Sequence, residues 1–385
     1  MLSSRPRTFP PPVRGAFRLR QGRTVQAFGC SVALLLLLTG CVFATAASGQ
    51  TTAYVANAFD GTVSLIDLDV APPAVITTFD TGALPLGVLV DLPRDRFYVT
   101  NFGDETVSVF DTSVVPPTEL TEIPVGVSPA GVTVSSDGST LFVANSGDPD
   151  LADGTVSIID VATETVTTVS VGANPEGIAA HHDGTTLYVG EQEDGAGDTT
   201  SPIWVIDLTS GPPAVTGQVD IAPEVHGLSL SADGQRLYAA SFGIGVIGTL
   251  TVLDTTVNPP SVVDAVTLAS GAFGLAVEGE RVWLTMDNGD VAIVDVSSVP
   301  GSVIDTVTVG GNPAGIDVGA GMAVIARADD DAVTILDTKA PGFPVITSVD
   351  VGDFPFSIGR FISAASVFSD GFESGNLSAW SAVSP

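Results

Sequence analysis

The chain has 385 residues with 44 acidic and 13 basic side chains; six of the basic ones (Arg5, Arg7, Arg14, Arg18, Arg20, Arg23) precede residue 50 and every acidic one follows it. Residues 51–385 therefore carry a net −37 on only seven basic side chains, which excludes capture of nucleic acid or of an anionic membrane surface, since both need Lys or Arg to meet the phosphates. With 42 Gly and 26 Pro in a chain that is 44% apolar, there is material for a core, but turns interrupt it throughout.

Residues 1–50 open with an Arg- and Pro-rich stretch, continue with the apolar run at 31–38 and end in small residues, Ala44-Thr45-Ala46-Ala47. That order reads as an export signal, and the run is shorter than the roughly 20 apolar residues a membrane-spanning helix needs. The expected destination is outside the cytoplasm: extracellular, periplasmic, or held at the outer membrane through Cys41. Leu38-Thr39-Gly40-Cys41 resembles a bacterial lipobox, which implies lipidation of Cys41; the other reading makes Cys41 an ordinary residue ahead of cleavage near Ala46. Cys30 and Cys41 are the only cysteines, so the exported body holds no disulfide.

Beyond residue 50 the sequence repeats. Tyr54-Val-Ala-Asn57, Tyr98-Val-Thr-Asn101, Phe142-Val-Ala-Asn145, Tyr188-Val-Gly-Glu191, Tyr238-Ala-Ala-Ser241, Trp283-Leu-Thr-Met286 and Val324-Ile-Ala-Arg327 follow one another at spacings of 44, 44, 46, 50, 45 and 41. Each is followed by an alternating β pattern of the type Thr-Val-Ser-Val-Ile-Asp, at 62–67, 106–111, 155–160, 203–207, 249–254, 290–295 and 332–337. A Val/Thr-rich strand comes next, then a Gly-Pro turn such as Gly172-Ala-Asn-Pro-Glu-Gly177. A Gly-led strand closes the unit and ends in a hairpin at Asp137-Gly138, Asp183-Gly184 or Asp233-Gly234. Seven such units predict an all-β chain: a seven-bladed β-propeller of four-stranded antiparallel blades, which hides its strand edges by radial repetition. The phase of the repeat predicts closure. The body starts on the Tyr54 strand and ends on a Gly-led strand at 356–361, so the two termini complete one blade together. The expected organisation is an export segment over 1–50, a propeller over 51–362 and a tail over 363–385.

The YVxN, TVSVID and GxxPxG elements at fixed offsets resemble the YVTN family of β-propeller repeat proteins, over roughly residues 51–362. The resemblance implies a secreted or cell-surface bacterial propeller, usually without known catalysis. By fold only, the chain also looks like lactonase and haem-carrying propellers. The tail, with Gly371-Phe-Glu-Ser-Gly375 and Trp380, is similar to the GFESG…W tails of exported bacterial proteins, which implies a sorting or docking tag; a flexible terminus or a truncated remnant of a jelly-roll module is the other reading.

The loops on one face collect acids. Those between second and third strands hold Asp60, Asp104, Glu105, Asp148, Asp150, Asp153, Glu191, Glu193, Asp194, Asp198, Asp287, Asp290 and residues 329–331, and those before the innermost strands add Glu176, Glu224, His226 and Asp353. Crowded carboxylates favour cations or cationic partners, and Asp148, Asp150 and Asp153 resemble a calcium loop with one residue too many. No other cofactor is expected. His226 precedes Gly227 where the channel should open, with Glu224 two residues away and Glu176 one blade back, a conceivable acid/base group. His181 and His182 sit at the opposite face and are expected only to fill a turn. Phe59, Phe102 and Phe242 follow second strands, and Phe273, Phe354 and Phe356 fall in the other rim loops. Together they suggest either an apolar ring for a partner or packing between blades. Asn57, Asn101 and Asn145 read as turn-capping amides. Two functions follow: an exported, monomeric, non-catalytic scaffold offering its acidic face to a protein partner or cations, or a secreted hydrolase or lactonase using His226 and Glu224.

Overall fold

The computed structural model describes residues 50–148, 154–192, 199–243 and 247–363. The export segment with Cys41, the acids Asp150, Asp153, Glu193, Asp194 and Asp198, and the tail lie outside the described residues. The remainder folds as the repeat predicts, into a seven-bladed β-propeller whose blades each contain four antiparallel strands. Blade 2 shows the plan: an inner strand Pro85–Asp91, a second strand Arg96–Asn101, a third strand Thr106–Asp111 and an outer strand Thr118–Pro124. Helix is confined, among the described residues, to two short 3-10 turns.

Second strands are the most buried, as in Thr52–Asn57, because each lies between two sheet neighbours and faces another blade on both sides. Outer strands alternate, as in Ala74–Asp80, since one face meets water. The core sits in the seams. Tyr98, Val109 and Ile123 of blade 2 pack with Leu141, Val143 and Ile159 of blade 3, and similar clusters join the following pairs of blades.

The repeat motifs have direct physical causes. The Asn of Tyr-Val-x-Asn is fully buried: Asn101 Nδ2 donates to Thr106 Oγ1 at 3.0 Å and Ser108 Oγ at 2.9 Å, while its Oδ1 accepts from Gly82 N at 3.1 Å. Asn57 repeats the set with Thr62, Ser64 and Gly352. The amide therefore joins second strand, third strand and incoming loop, which is why YVxN travels with T-x-S. The inner-strand glycines mark close blade-to-blade approach. A Cβ on Gly87, Gly131 or Gly315 would fall 2.0 Å from the carbonyl oxygen of Ala130, Glu176 or Ser357 in the next blade. The Asp ending each third strand caps the turn after it, as Asp111 Oδ1 accepts from Ser113 N at 2.9 Å. Much of the acidity is thus turn chemistry.

The ring closes through the termini as expected, with an irregular last strand. Ile362 and Ser363 pair with Ala53 and Thr52, Phe361 O accepts from Tyr54 N, and Pro355 bridges to Asn57. Between them, Ile358–Arg360 leaves blade 1 and pairs in parallel with Gly87, Val88 and Leu89 of blade 2. Asp317 of blade 7 holds this segment, accepting from Phe361 N at 2.8 Å and Ile362 N at 2.7 Å.

His181 and His182 do more than fill a turn. His181 Nε2 lies 3.1 Å from Gly234 O and His182 Nε2 3.1 Å from Ser231 O, while Ser136 Oγ donates to His182 O at 2.9 Å. With Arg94 donating to Asp137 O, these bonds link the hairpins of blades 2 to 5.

Candidate functional site

The residue just before the inner-strand glycine lies at the mouth of the central channel, and in blades 2 to 7 this position carries Leu86, Ala130, Glu176, His226, Phe273 and Ala314. Three of the six are aliphatic. A carboxylate, an imidazole and an aromatic ring stand side by side in blades 4, 5 and 6, and there they converge. His226 Nδ1 is 3.1 Å from Glu176 Oε2, with both side chains about nine-tenths buried, and 3.2 Å from the Gln192 amide. Phe273 packs on His226 with ring centroids 4.6 Å apart, and Phe242 meets Phe273 edge to face at 5.3 Å.

Chemistry fixes the protons. An ionised Glu176 can only accept, so a hydrogen on Nδ1 is donated to it, and Gln192, whose Nε2 lies 3.2 Å from the same nitrogen, complements that tautomer only with its amide turned over. That arrangement leaves Nε2 as the ring nitrogen available for proton transfer or ligand contact. Glu191, next to Gln192, accepts from Trp204 Nε1 at 2.7 Å, so a second carboxylate stands beside the group in sequence.

Of the expected acid/base residues, the structure brings His226 and Glu176 together. Glu224 lies in the turn that leads into the inner strand Val225–Leu230. It sits in the left-handed region at φ 58°, the turn position also held by Leu84, Ser128, Asn174 and Phe354, and its carbonyl accepts from Phe242 N at 3.0 Å. Gln192 was not foreseen. Aligning the repeats exposes it, because the position after each second strand reads Ala58, Phe102, Ser146, Gln192, Phe242, Asp287 and Ala328.

The phenylalanines form two groups instead of one ring. Phe59, one residue further along than Phe102 and Phe242, is 55% exposed and stacks on Phe354 at 4.5 Å, and Phe354 stacks on Phe356 at 6.1 Å. Phe242 belongs to the His226 group; Phe102 is half-buried. The acidic rim is largely structural. Asp60, Asp104 and Asp331 accept from the backbone N–H groups of Asp353, Ala83 and Phe354, tying second-to-third loops to the loops before the inner strands. Burial together with Asp331 and Asp60 raises the Asp353 carboxyl above its ordinary value. Asp148 is exposed, and its expected calcium partners Asp150 and Asp153 lie outside the described residues. Among the described residues no group of three His, Cys, Asp or Glu side chains is placed to hold a metal. Arg327, the cation of this rim, is committed to Asp330 and to Ser348.

Comparison with known proteins places these observations on familiar architecture. A family model described as a choice-of-anchor I domain matches residues 100–173. Among solved structures, Kuenenia stuttgartiensis hydrazine synthase is similar at TM-score 0.66 and 19% identity, over 79% of this chain and 99% of that one. The periplasmic gluconolactonase PpgL of Pseudomonas aeruginosa is similar at TM-score 0.66 and 15% identity, over 83% and 99%. Apo AztD of Citrobacter koseri is similar at TM-score 0.53 and 16% identity, over 80% and 97%. The likeness is one of fold. No curated protein gives a significant match. No helix among the described residues is long and apolar enough to cross a membrane.

Proposed function

We propose that the chain is an exported binding propeller of the YVTN repeat type, which takes a cationic group at the channel mouth: an organic ammonium or a basic side chain of a protein partner. One observation carries this reading. The Glu176 carboxylate is buried beside His226, on whose ring Phe273 and Phe242 pack, so the mouth offers a carboxylate screened from water close to aromatic rings that attract positive charge. The rim around it is acidic and its arginine is already paired, which works against anionic substrates. The apolar run at 31–38 supports export, Cys41 supports an envelope anchor, and the tail after Ser363 is proposed as a sorting or docking segment. Spermidine titrated by calorimetry into the exported chain tests the site: binding should weaken with salt and fall at least tenfold in Glu176→Gln, and equal binding in both proteins would refute it.

A second reading has its own support. A carboxylate on Nδ1 leaves Nε2 to act as a base, the arrangement a hydrolase or lactonase would use. Lactone turnover that disappears in His226→Ala would establish it; no turnover in either protein would remove it. Calcium binding by Asp148, Asp150 and Asp153 is likewise a proposal. Its test is a calcium titration of the wild type against a variant with these three acids changed to Asn.

A further inference from the structure

The turn after the second strand is built alike in several blades. Phe59 N donates to Asp353 O at 3.2 Å, as Gly103 N does to Ala83 O at 2.9 Å, Gly147 N to Val127 O at 3.0 Å and Gly243 N to Pro223 O at 3.2 Å. Blades 2, 3 and 5 thus make this turn with glycine. The fold needs no side chain at the position, yet blade 1 places a phenyl ring there. That ring is 55% exposed, and Phe59 is the one exposed aromatic residue among the described residues. It stacks on Phe354 at 4.5 Å and 21°, and Phe354 stacks in turn on Phe356 at 6.1 Å and 6°. Asp60 accepts from Asp353 N at 2.8 Å and Asp331 from Phe354 N at 3.0 Å, which fixes the backbone that carries the row. The row runs inward to Phe356, a lining residue of the pocket that also contains Glu176 and His226.

We infer that Phe59 is a shelf for an arginine side chain of a protein partner, whose guanidinium lies flat on the open face of the ring and directs its N–H groups to the neighbouring carboxylates. Charge complementarity selects a cation. Asp60, Asp331 and Asp353 are all exposed, and desolvation, Asp331 and Asp60 together raise the Asp353 carboxyl, as expected where negative charge is crowded without a counterion. Arg327, the cation of this rim, is already held by Asp330 and Ser348. Shape then selects between cations. A compact ammonium gains most from several ring faces around it, whereas a row of stacked rings offers one flat face. A planar guanidinium stacks on such a face and still reaches carboxylates with its fork of donors. This goes beyond the cation at the channel mouth, because the shelf belongs to blade 1 and has its own carboxylates, while Glu176 belongs to blade 4.

Tetra-arginine and tetra-lysine amides, titrated by calorimetry into the exported chain at one ionic strength, test this. Tetra-arginine should bind about fivefold tighter. Phe59→Leu, which keeps apolar bulk against Phe354 but removes the ring face, should bring the two peptides to within about twofold of each other by weakening tetra-arginine alone. Phe59→Gly, the residue used at this turn in blades 2, 3 and 5, should do the same and keeps the test open if the first variant packs badly. Glu176→Gln should weaken both peptides alike and leave their ratio unchanged. If it changes neither affinity while Phe59→Leu removes the preference, the reading of the channel mouth falls and the shelf stands. Equal affinity of the unaltered chain for the two peptides, or a preference for tetra-arginine that survives both substitutions of Phe59, would overturn the proposal.

Discussion

Replacing Asn101 by Ala should be among the most damaging single changes in the molecule, and its cost can be worked from the structure. Asn101 makes four hydrogen bonds: Nδ2 to Thr106 Oγ1 and Ser108 Oγ, and Oδ1 from Gly82 N and Thr81 Oγ1, all between 2.9 and 3.1 Å. A net 0.5–1.5 kcal/mol for each gives a loss of about 2–6 kcal/mol, towards the upper end because Ser108 is left buried and unpaired. Asn145 supplies an internal control. Its Nδ2 bonds Thr155 and Ser157 at 3.0 Å, but its Oδ1 has no partner, so Asn145→Ala should cost about 1–3 kcal/mol. Urea unfolding followed by circular dichroism, with the slope checked for constancy, measures both. Equal losses, or a larger loss for Asn145→Ala, would refute the claim that the buried amide acts through the bonds it makes.

Three further outcomes follow from the packing and the charges. Gly131→Ala, whose Cβ would meet Glu176 O at 2.0 Å, should destabilise by more than about 3 kcal/mol, whereas Gly184→Ala, with nothing within 4 Å but φ 72°, should cost only about 1 kcal/mol in the same unfolding assay. Burial pushes the Asp317 carboxyl up to about 6, against three backbone N–H donors that favour its anion. The fold therefore holds this proton more tightly than the unfolded chain does. Its contribution is complete below pH 4 and is lost as pH rises through 6, by up to about 3 kcal/mol; a pH series of unfolding midpoints should show that loss, and Asp317→Asn should flatten it. Phe343→Ala should cost about 3–5 kcal/mol by uncovering Trp283, read as a lowered midpoint with increased quenching of tryptophan fluorescence.

The propeller was legible because its motifs are consequences of geometry that must recur in every blade. Asn57 and Asn101 each join two strands and an incoming loop, Asn145 joins two strands, and Gly87, Gly131 and Gly315 sit where a neighbouring carbonyl leaves no room for a Cβ. Repeat phase likewise foretold the shared blade, though not the excursion of Ile358–Arg360 onto blade 2, which depends on pairing between segments far apart in sequence. The site was legible in part. His226 and Glu176 were candidates because neighbouring blades bring equivalent positions together. Glu224, two residues from His226, looked equally close, but it precedes the strand Val225–Leu230 and takes the left-handed conformation of a corner residue. The split of the phenylalanines turned on one residue of offset at Phe59, a difference that matters only once side chains are packed.

The mouth of the channel at blades 4 to 6 as the binding site is the central claim, and hydrogen exchange of the exported chain with and without saturating spermidine tests it most directly. The account predicts slowed exchange confined to the inner strands Pro175–Ala180, Val225–Leu230 and Ala272–Glu278 and the loops beside them. Protection confined to the acidic loops of other blades, with these three strands unchanged, would contradict it.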